Sequence, residues 1–377
     1  MGNYPKPLKE THDIRMDNGE FPYLDVDPII NIFAPDYSDT YLWLVQNPAL
    51  VSYDRASKAS YLSSTGKLHY TNNKQMRIDY NPLTKEKRGF VIENQATNLI
   101  YSNNFGLAMG NSGTGSLTKN TDPVFNVPRG TTLQTSGSTG TCGVQSVSYA
   151  GSINPNTKYV VSCVAKMESD TFEWMGFDIG NYVVHTAKGR GTLAINYKTK
   201  EVTYESSLSG EDKKIFYIEF WNDGYVYIAR SFFTVESFAD VAENIRYSGP
   251  RVYFRNTGNL ADSNSITGDG VSKIHLLMPQ LETATTGFSN NKGSSYIALS
   301  ESAATTRAKD FLSLAISELD GVTSVTGTLL LDVDGVRTCI DGTFTDGYQL
   351  SKRGYYRQVA LFPRYLTDDE KFKVING

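Results

Sequence analysis

Between Tyr149 and Glu282 lie repeated short runs in which apolar side chains fall at every second position, and this limits the fold more than any other feature. In Lys158 to Met167, Tyr159, Val161, Cys163, Ala165 and Met167 fall on one face, opposite Val160, Ser162, Val164 and Lys166. Phe172, Trp174 and Phe177 mark a second strand. Residues 193–197 and 202–204 flank Lys198 to Glu201 as a hairpin. Residues 215–221 and 225–229 flank Asn222-Asp223-Gly224, where an Asp-Gly supplies the positive φ angles that match strand twist. Val252 to Phe254 and Lys273 to Met278 complete the set. Strands at this spacing predict an all-β protein with a jelly-roll or β-sandwich core.

The flanks give the expected domain organisation. At 377 residues the chain is long enough for two or three cores. Residues 1–50 are polar at first and then carry short apolar pieces broken by prolines. They predict an extended segment that docks on a partner or on the body of the protein, with Phe21, Tyr23, Ile30, Phe33 and Trp43 as candidate anchors. Residues 51–103 are read as a belt of short extended pieces, with Met76, Ile78 and Tyr80 alternating with Arg77 and Asp79 as a half-buried strand. The sandwich is assigned to 104–287, its Asn-, Ser-, Gly- and Thr-rich start holding short strands near Val124 and Thr131. Residues 288–377 form a small C-terminal β appendix with strands over 328–333 and 354–361. A last helical turn begins at Leu366, with Thr367 as its cap and Asp368, Asp369 and Glu370 suited to its positive end.

Three ordered pieces of the belt carry a family resemblance. Arg55-Ala-Ser57-Lys-Ala59-Ser60-Tyr61, Arg77-Ile78-Asp79-Tyr80-Asn-Pro82 and Gly89-Phe90-Val91-Ile92-Glu93 through Thr97-Asn98-Leu99-Ile100 resemble a module of bacteriophage virion proteins, mainly tail and tail-fibre components. Ser60 stands where the family has Thr, and Phe90-Val91-Ile92 where it has leucines. Gln280-Leu281-Glu282, Tyr296-Ile297 and Thr306-Arg307-Ala308-Lys309-Asp310 are similar to the pieces that close the family's sandwich. Asp223-Gly224-Tyr225 is similar to its Asp-Gly-Trp-Tyr hairpin without the Trp. Residues 360–370 resemble the last strand and helix of laminin-G or concanavalin-like domains, of which this length holds a fragment. The resemblance implies a lectin-like or carbohydrate-binding sandwich, other virion proteins as partners, a homo-oligomer, host-surface glycan as a ligand, and a virion location after synthesis in the host cytoplasm.

The residues themselves set limits on chemistry. A net charge of −4 argues against a general nucleic-acid binder. No apolar run reaches the roughly 18–20 residues of a membrane span, so no membrane insertion is expected, and the first residues lack the form of a signal peptide. Cys142, Cys163 and Cys339 lack metal spacing and read as buried small hydrophobes. His12, His69, His185 and His275 stand apart, and no nucleophile elbow or P-loop appears. No cofactor or metal is expected. Asp332-Val333-Asp334-Gly335 reads as a strand-end turn, with a structural Ca2+ as the alternative. A polysaccharide depolymerase would need two carboxylates in a cleft, for which Glu173 and Glu219 are examples. The expectation is instead a non-enzymatic attachment protein. Trp174, Tyr217, Trp221, Tyr225 and Tyr227 are its candidate sugar platforms, and a purely structural role in the particle is the alternative.

Overall fold

The computed structural model describes residues 24–33, 51–100, 115–122, 127–145, 153–179, 191–205, 215–240, 249–284, 292–297, 304–319 and 321–376. The chain opens with β1 (Ile30–Phe33), β2 (Val51–Asp54), β3 (Ala59–Leu62), β4 (Leu68–Thr71), β5 (Ile78–Tyr80) and β6 (Lys87–Ile92). There follow β7 (Ala96–Asn98), β8 (Gly115–Asp122), β9 (Val127–Thr135), β10 (Thr139–Thr141), β11 (Gly143–Gln145), β12 (Lys158–Glu168) and β13 (Trp174–Ile179). Next are β14 (Leu193–Asn196), β15 (Val202–Tyr204), β16 (Phe216–Phe220), β17 (Tyr225–Phe233), β18 (Pro250–Arg255), β19 (Ser265–Thr267), β20 (Lys273–Thr283) and β21 (Thr305–Arg307). The chain ends with β22 (Phe311–Leu314), β23 (Ser324–Val333), β24 (Val336–Thr345), β25 (Gly354–Phe362) and the helix α1 (Asp368–Asn376). The fold is all-β, in antiparallel sheets.

The strands form two compact units. Unit 1 comprises residues 1–94 and 308–377, and unit 2 comprises residues 95–307. Where the chain passes between them, β7 and β21 run antiparallel side by side, so unit 2 is an insertion whose two ends meet.

In unit 1 the sheet order is β24-β23-β25-β6-β5, and β1 also pairs with β25. Ile30, Ile78, Phe90, Leu329, Leu331, Tyr356 and Leu361 are among its core residues. Strands from the belt and strands from the appendix are therefore neighbours in one sheet, which differs from the separate modules 51–103 and 288–377 drawn from sequence. The physical reason is area. Long strands such as β23 and β25 alone leave an apolar face that the short β1, β5 and β6 complete. Ile30 is fully buried and its strand pairs residue for residue with β25, so of the two expected places it docks on the body of the protein. Phe33 ends that strand; Phe21, Tyr23 and Trp43 lie outside the described residues. Met76 to Tyr80 is buried throughout rather than half-buried, because Arg77 and Asp79 also turn into the protein.

The β23–β24 hairpin closes on Asp334 and Gly335, with φ of 56° and 76°, the two positive angles of a tight hairpin turn. Asp334 Oδ1 accepts the Tyr355 N–H at 2.9 Å. This stretch is thus the strand-end turn, and no cluster of three or more acidic, His or Cys side chains that could hold a metal exists among the described residues.

Unit 2 is a sandwich. One sheet has the order β16-β17-β12-β20-β9-β8 and the other β11-β18-β13-β14-β15. Tyr159, Val161 and Cys163 of β12 share one core with Phe177, Leu193, Ile195 and Phe254 of the second sheet, so the sheets pack face to face. Both hairpins expected from sequence are present, with Asp223 at φ 59° and Lys200 at φ 63° in their turns. All three cysteines are free; Cys142 and Cys163 are buried, whereas Cys339 is only half-buried.

Candidate functional site

Alternation along β16 and β17 places Phe216, Ile218, Val226 and Ile228 toward the core. Tyr217, Glu219, Tyr225 and Tyr227 consequently turn to the opposite face of the six-stranded sheet. Glu219 stands directly opposite Tyr227 in the ladder. Two residues beyond Glu219, the Trp221 ring stacks on that of Tyr227, with centroids 5.9 Å apart and planes 7° apart. Tyr217 meets Tyr227 edge-on at 6.0 Å. Glu219 accepts the indole N–H of Trp221 at 3.1 Å. The Lys292 ammonium lies 5.3 Å from the Tyr217 ring centre and 5.9 Å from that of Tyr227. Four of the five candidate aromatics thus share one face, and three of them form a single cluster.

Their exposure divides them. Trp221 and Tyr225 are buried, so neither offers an open ring face, while Tyr217 and Tyr227 are half-buried. Tyr225 carries the Lys166 ammonium 5.0 Å from its ring centre. Lys166 also pairs with Glu168 at 3.0 Å. Burial works against the Glu168 charge, but Lys166 and His275 outweigh it and hold the carboxyl below its ordinary range. Trp174 is separate: it lies in β13 of the other sheet, half-buried, with its ring against Gly258, where an added Cβ would come within 2.5 Å of the indole. The two example carboxylates are apart as well. Glu173 precedes β13 and pairs with Lys198 at 3.2 Å, whereas Glu219 belongs to the aromatic cluster.

The place of Lys292 and Gly293 was not legible in the sequence, because they meet β16 and β17 from across the chain. Gly293 donates its N–H to the Tyr227 hydroxyl at 3.2 Å. A Cβ at Gly293 would lie 2.9 Å from Glu282 Oε1 and 3.0 Å from Ser162 Oγ, so only glycine brings the backbone this close. Burial pushes the Tyr227 hydroxyl well above its ordinary pKa, the Ser162 bond opposes this, and the nearby Glu282 charge adds to it.

The motif islands converge on two buried polar networks. In unit 1, Asp310 accepts from Arg77 Nη2 at 2.7 Å, from Tyr53 Oη at 2.6 Å and from the Glu93 N–H at 2.9 Å, and it pairs with Arg55 at 3.3 Å. Arg77 Nη2 also donates to Glu93 Oε2 at 2.9 Å, and Arg55 Nη2 to Thr71 Oγ1 at 2.7 Å. Two guanidinium groups thereby face two carboxylates, with charges in balance. Burial alone would lower the Arg77 pKa, but Asp310 and Glu93 raise it above the ordinary value. In unit 2, Asn98 Nδ2 donates to the carbonyls of Pro279 and Ile297, both at 3.1 Å. Its Oδ1 accepts from the N–H groups of Ile100 at 3.1 Å and Leu281 at 3.2 Å. Gln280 accepts the Ile297 N–H at 2.8 Å, and Glu282 accepts the Ser294 N–H at 2.5 Å and hydroxyl at 2.7 Å. These residues hold segments together rather than present chemistry to solvent.

No protein-family model and no curated protein matches the chain. Among solved structures it matches the crystallographic structure of the CBM22-1–GH10 modules of Clostridium thermocellum endo-1,4-β-D-xylanase 10B in complex with xylohexaose. That match has 11% identity and a TM-score of 0.26 over 53% of this chain and 30% of that one, a likeness too loose to carry an argument about ligand or activity.

Proposed function

We propose that this protein is a non-enzymatic component of a phage virion whose unit 2 sandwich binds host-surface glycan. The observation that carries the glycan reading is the cluster of Tyr217, Tyr227 and Trp221 beside the Glu219 carboxylate and the Lys292 ammonium. A sugar ring offers apolar C–H faces and polar hydroxyls together. Half-buried tyrosines receive the first, and an adjacent carboxylate and ammonium receive the second. The contact residues are then Tyr217 and Tyr227, with Trp221 supporting Tyr227 from behind. The virion assignment rests on the resemblance of the motif islands. Those islands are absorbed by buried networks, so they speak for the fold, and the aromatic cluster alone speaks for the ligand.

The test incubates the purified protein with host cells and extracted surface polysaccharide, following binding and polymer length together. Binding with unchanged length, weakened about tenfold or more in Tyr217→Ala, is the expected result. Shortened polymer overturns the non-enzymatic assignment. Binding indifferent to Tyr217→Ala overturns the site, and absence of binding leaves a purely structural role in the particle.

A further inference from the structure

Among the described residues, strand β24 ends the sheet of unit 1. Its free side can be read from the ladder. Thr328 of β23 donates its N–H to Arg364 O at 3.1 Å, on the β25 side, and Val333 pairs with Val336 across the two-residue turn. Antiparallel strands alternate the direction of their backbone groups. The even-numbered residues of β24 therefore bond to β23, and Arg337, Cys339, Asp341 and Thr343 turn their N–H and C=O groups outward. Among the described residues these outward backbone groups have no partner. A long unpaired edge of this kind is a template for another strand.

Two features select a second copy of this chain as that strand. The first is charge. With a two-fold axis at Cys339, antiparallel pairing sets Arg337, which in its own chain pairs with Asp332 at 3.5 Å, opposite Asp341 of the second copy, which pairs with Lys371, so the two reciprocal meetings are of opposite sign and extend pairs already present. The second is the exposed apolar flank of α1. Lys371 reaches Asp341 on β24, and Glu370 reaches Arg364 beyond β25. At about 100° per residue, the helix surface continuing round from Lys371 carries Ile375 and Phe372, on the side of the free edge. Phe372 is 69% exposed and Ile375 42%. Because Arg337 bonds to Val374 O and Asp341 to Lys371, the axis at Cys339 passes level with Phe372.

We propose that unit 1 is a self-association module: β24 pairs with β24 of a second copy about a two-fold axis at Cys339, and Phe372 and Ile375 of the two α1 helices pack together above the joined edge. The aromatic cluster of unit 2 takes no part, so this proposal and the glycan reading stand or fall separately.

The test measures the mass of the full chain by light scattering and sedimentation across a concentration series. A dimer is expected. Phe372→Asp, at a position 69% exposed in the monomer, should weaken it on the order of tenfold or more. Ile375→Asp, at the other exposed apolar position of α1, should also weaken it. A monomer at every concentration overturns the proposal. So does a trimer, which two-fold edge pairing cannot produce, or a dimer that both single variants leave unchanged.

Discussion

Each unit is fastened internally by a buried polar network, and the two networks are built differently. Unit 1 uses charge: Arg55 and Arg77 against Asp310 and Glu93, all nearly inaccessible to solvent. Unit 2 uses mostly neutral groups, with Asn98 and Gln280 bridging backbone segments and the Glu282 carboxylate held by N–H and O–H donors. A balanced ionic cluster joins segments that are far apart in sequence, but it tolerates no loss of a member, because the remainder is a buried net charge. A neutral network loses a hydrogen bond when a member changes and can partly rearrange.

The sharpest way to break this contrast is one isosteric change in each network. Asp310→Asn removes the carboxylate shared by Arg55 and Arg77 and should cost roughly 3–5 kcal/mol. It should be seen as lost hydrogen-exchange protection in β5, β6 and β25. Glu282→Gln keeps the shape and exchanges one acceptor for a donor. The Ser294 hydroxyl can rotate to accept from the new amide, so the cost should be about 1–3 kcal/mol, read in β12, β17 and β20. Equal losses in the two variants would show that the ionic character of the unit 1 cluster is incidental.

The same contrast explains what was legible in the sequence. Strand alternation, the Asp-Gly and Lys198–Glu201 turns and the Thr367 cap depend on neighbours in the chain, and they were read correctly. The belt was misjudged because its meaning lies in partners elsewhere: Asp310 stands 255 residues from Arg55 and 233 from Arg77. An arginine in a strand pattern reads as a solvent-facing residue, and only a carboxylate at hydrogen-bond distance turns it inward. The aromatic face followed from alternation along β16 and β17, but the burial of Trp221 and Tyr225 did not, since it depends on what packs over the face. The strand made by Ile30 was not legible for a related reason. A short apolar piece between prolines looks like a free segment until a strand such as β25 offers it a place in a sheet.

A half-buried carboxylate at the protein surface supplies the small end of the comparison. Glu370 closes a capping box with Thr367: its Oε2 accepts the Thr367 N–H at 2.7 Å, and Thr367 Oγ1 accepts the Glu370 N–H at 3.3 Å. Arg364 first, and the Thr367 N–H against a small burial penalty, hold the Glu370 carboxyl down at about 2. A folded-state value below the ordinary glutamate value of about 4.3 means that the contribution is complete above that pH and fades as pH falls toward 2. Amide protection in α1 should therefore decline between those limits, and Glu370→Gln should flatten the decline. Thr367→Ala should cost about 1 kcal/mol, confined to the helix. If Glu370→Gln instead cost as much as Asp310→Asn, burial would not be what separates a costly charge from a cheap one in this protein.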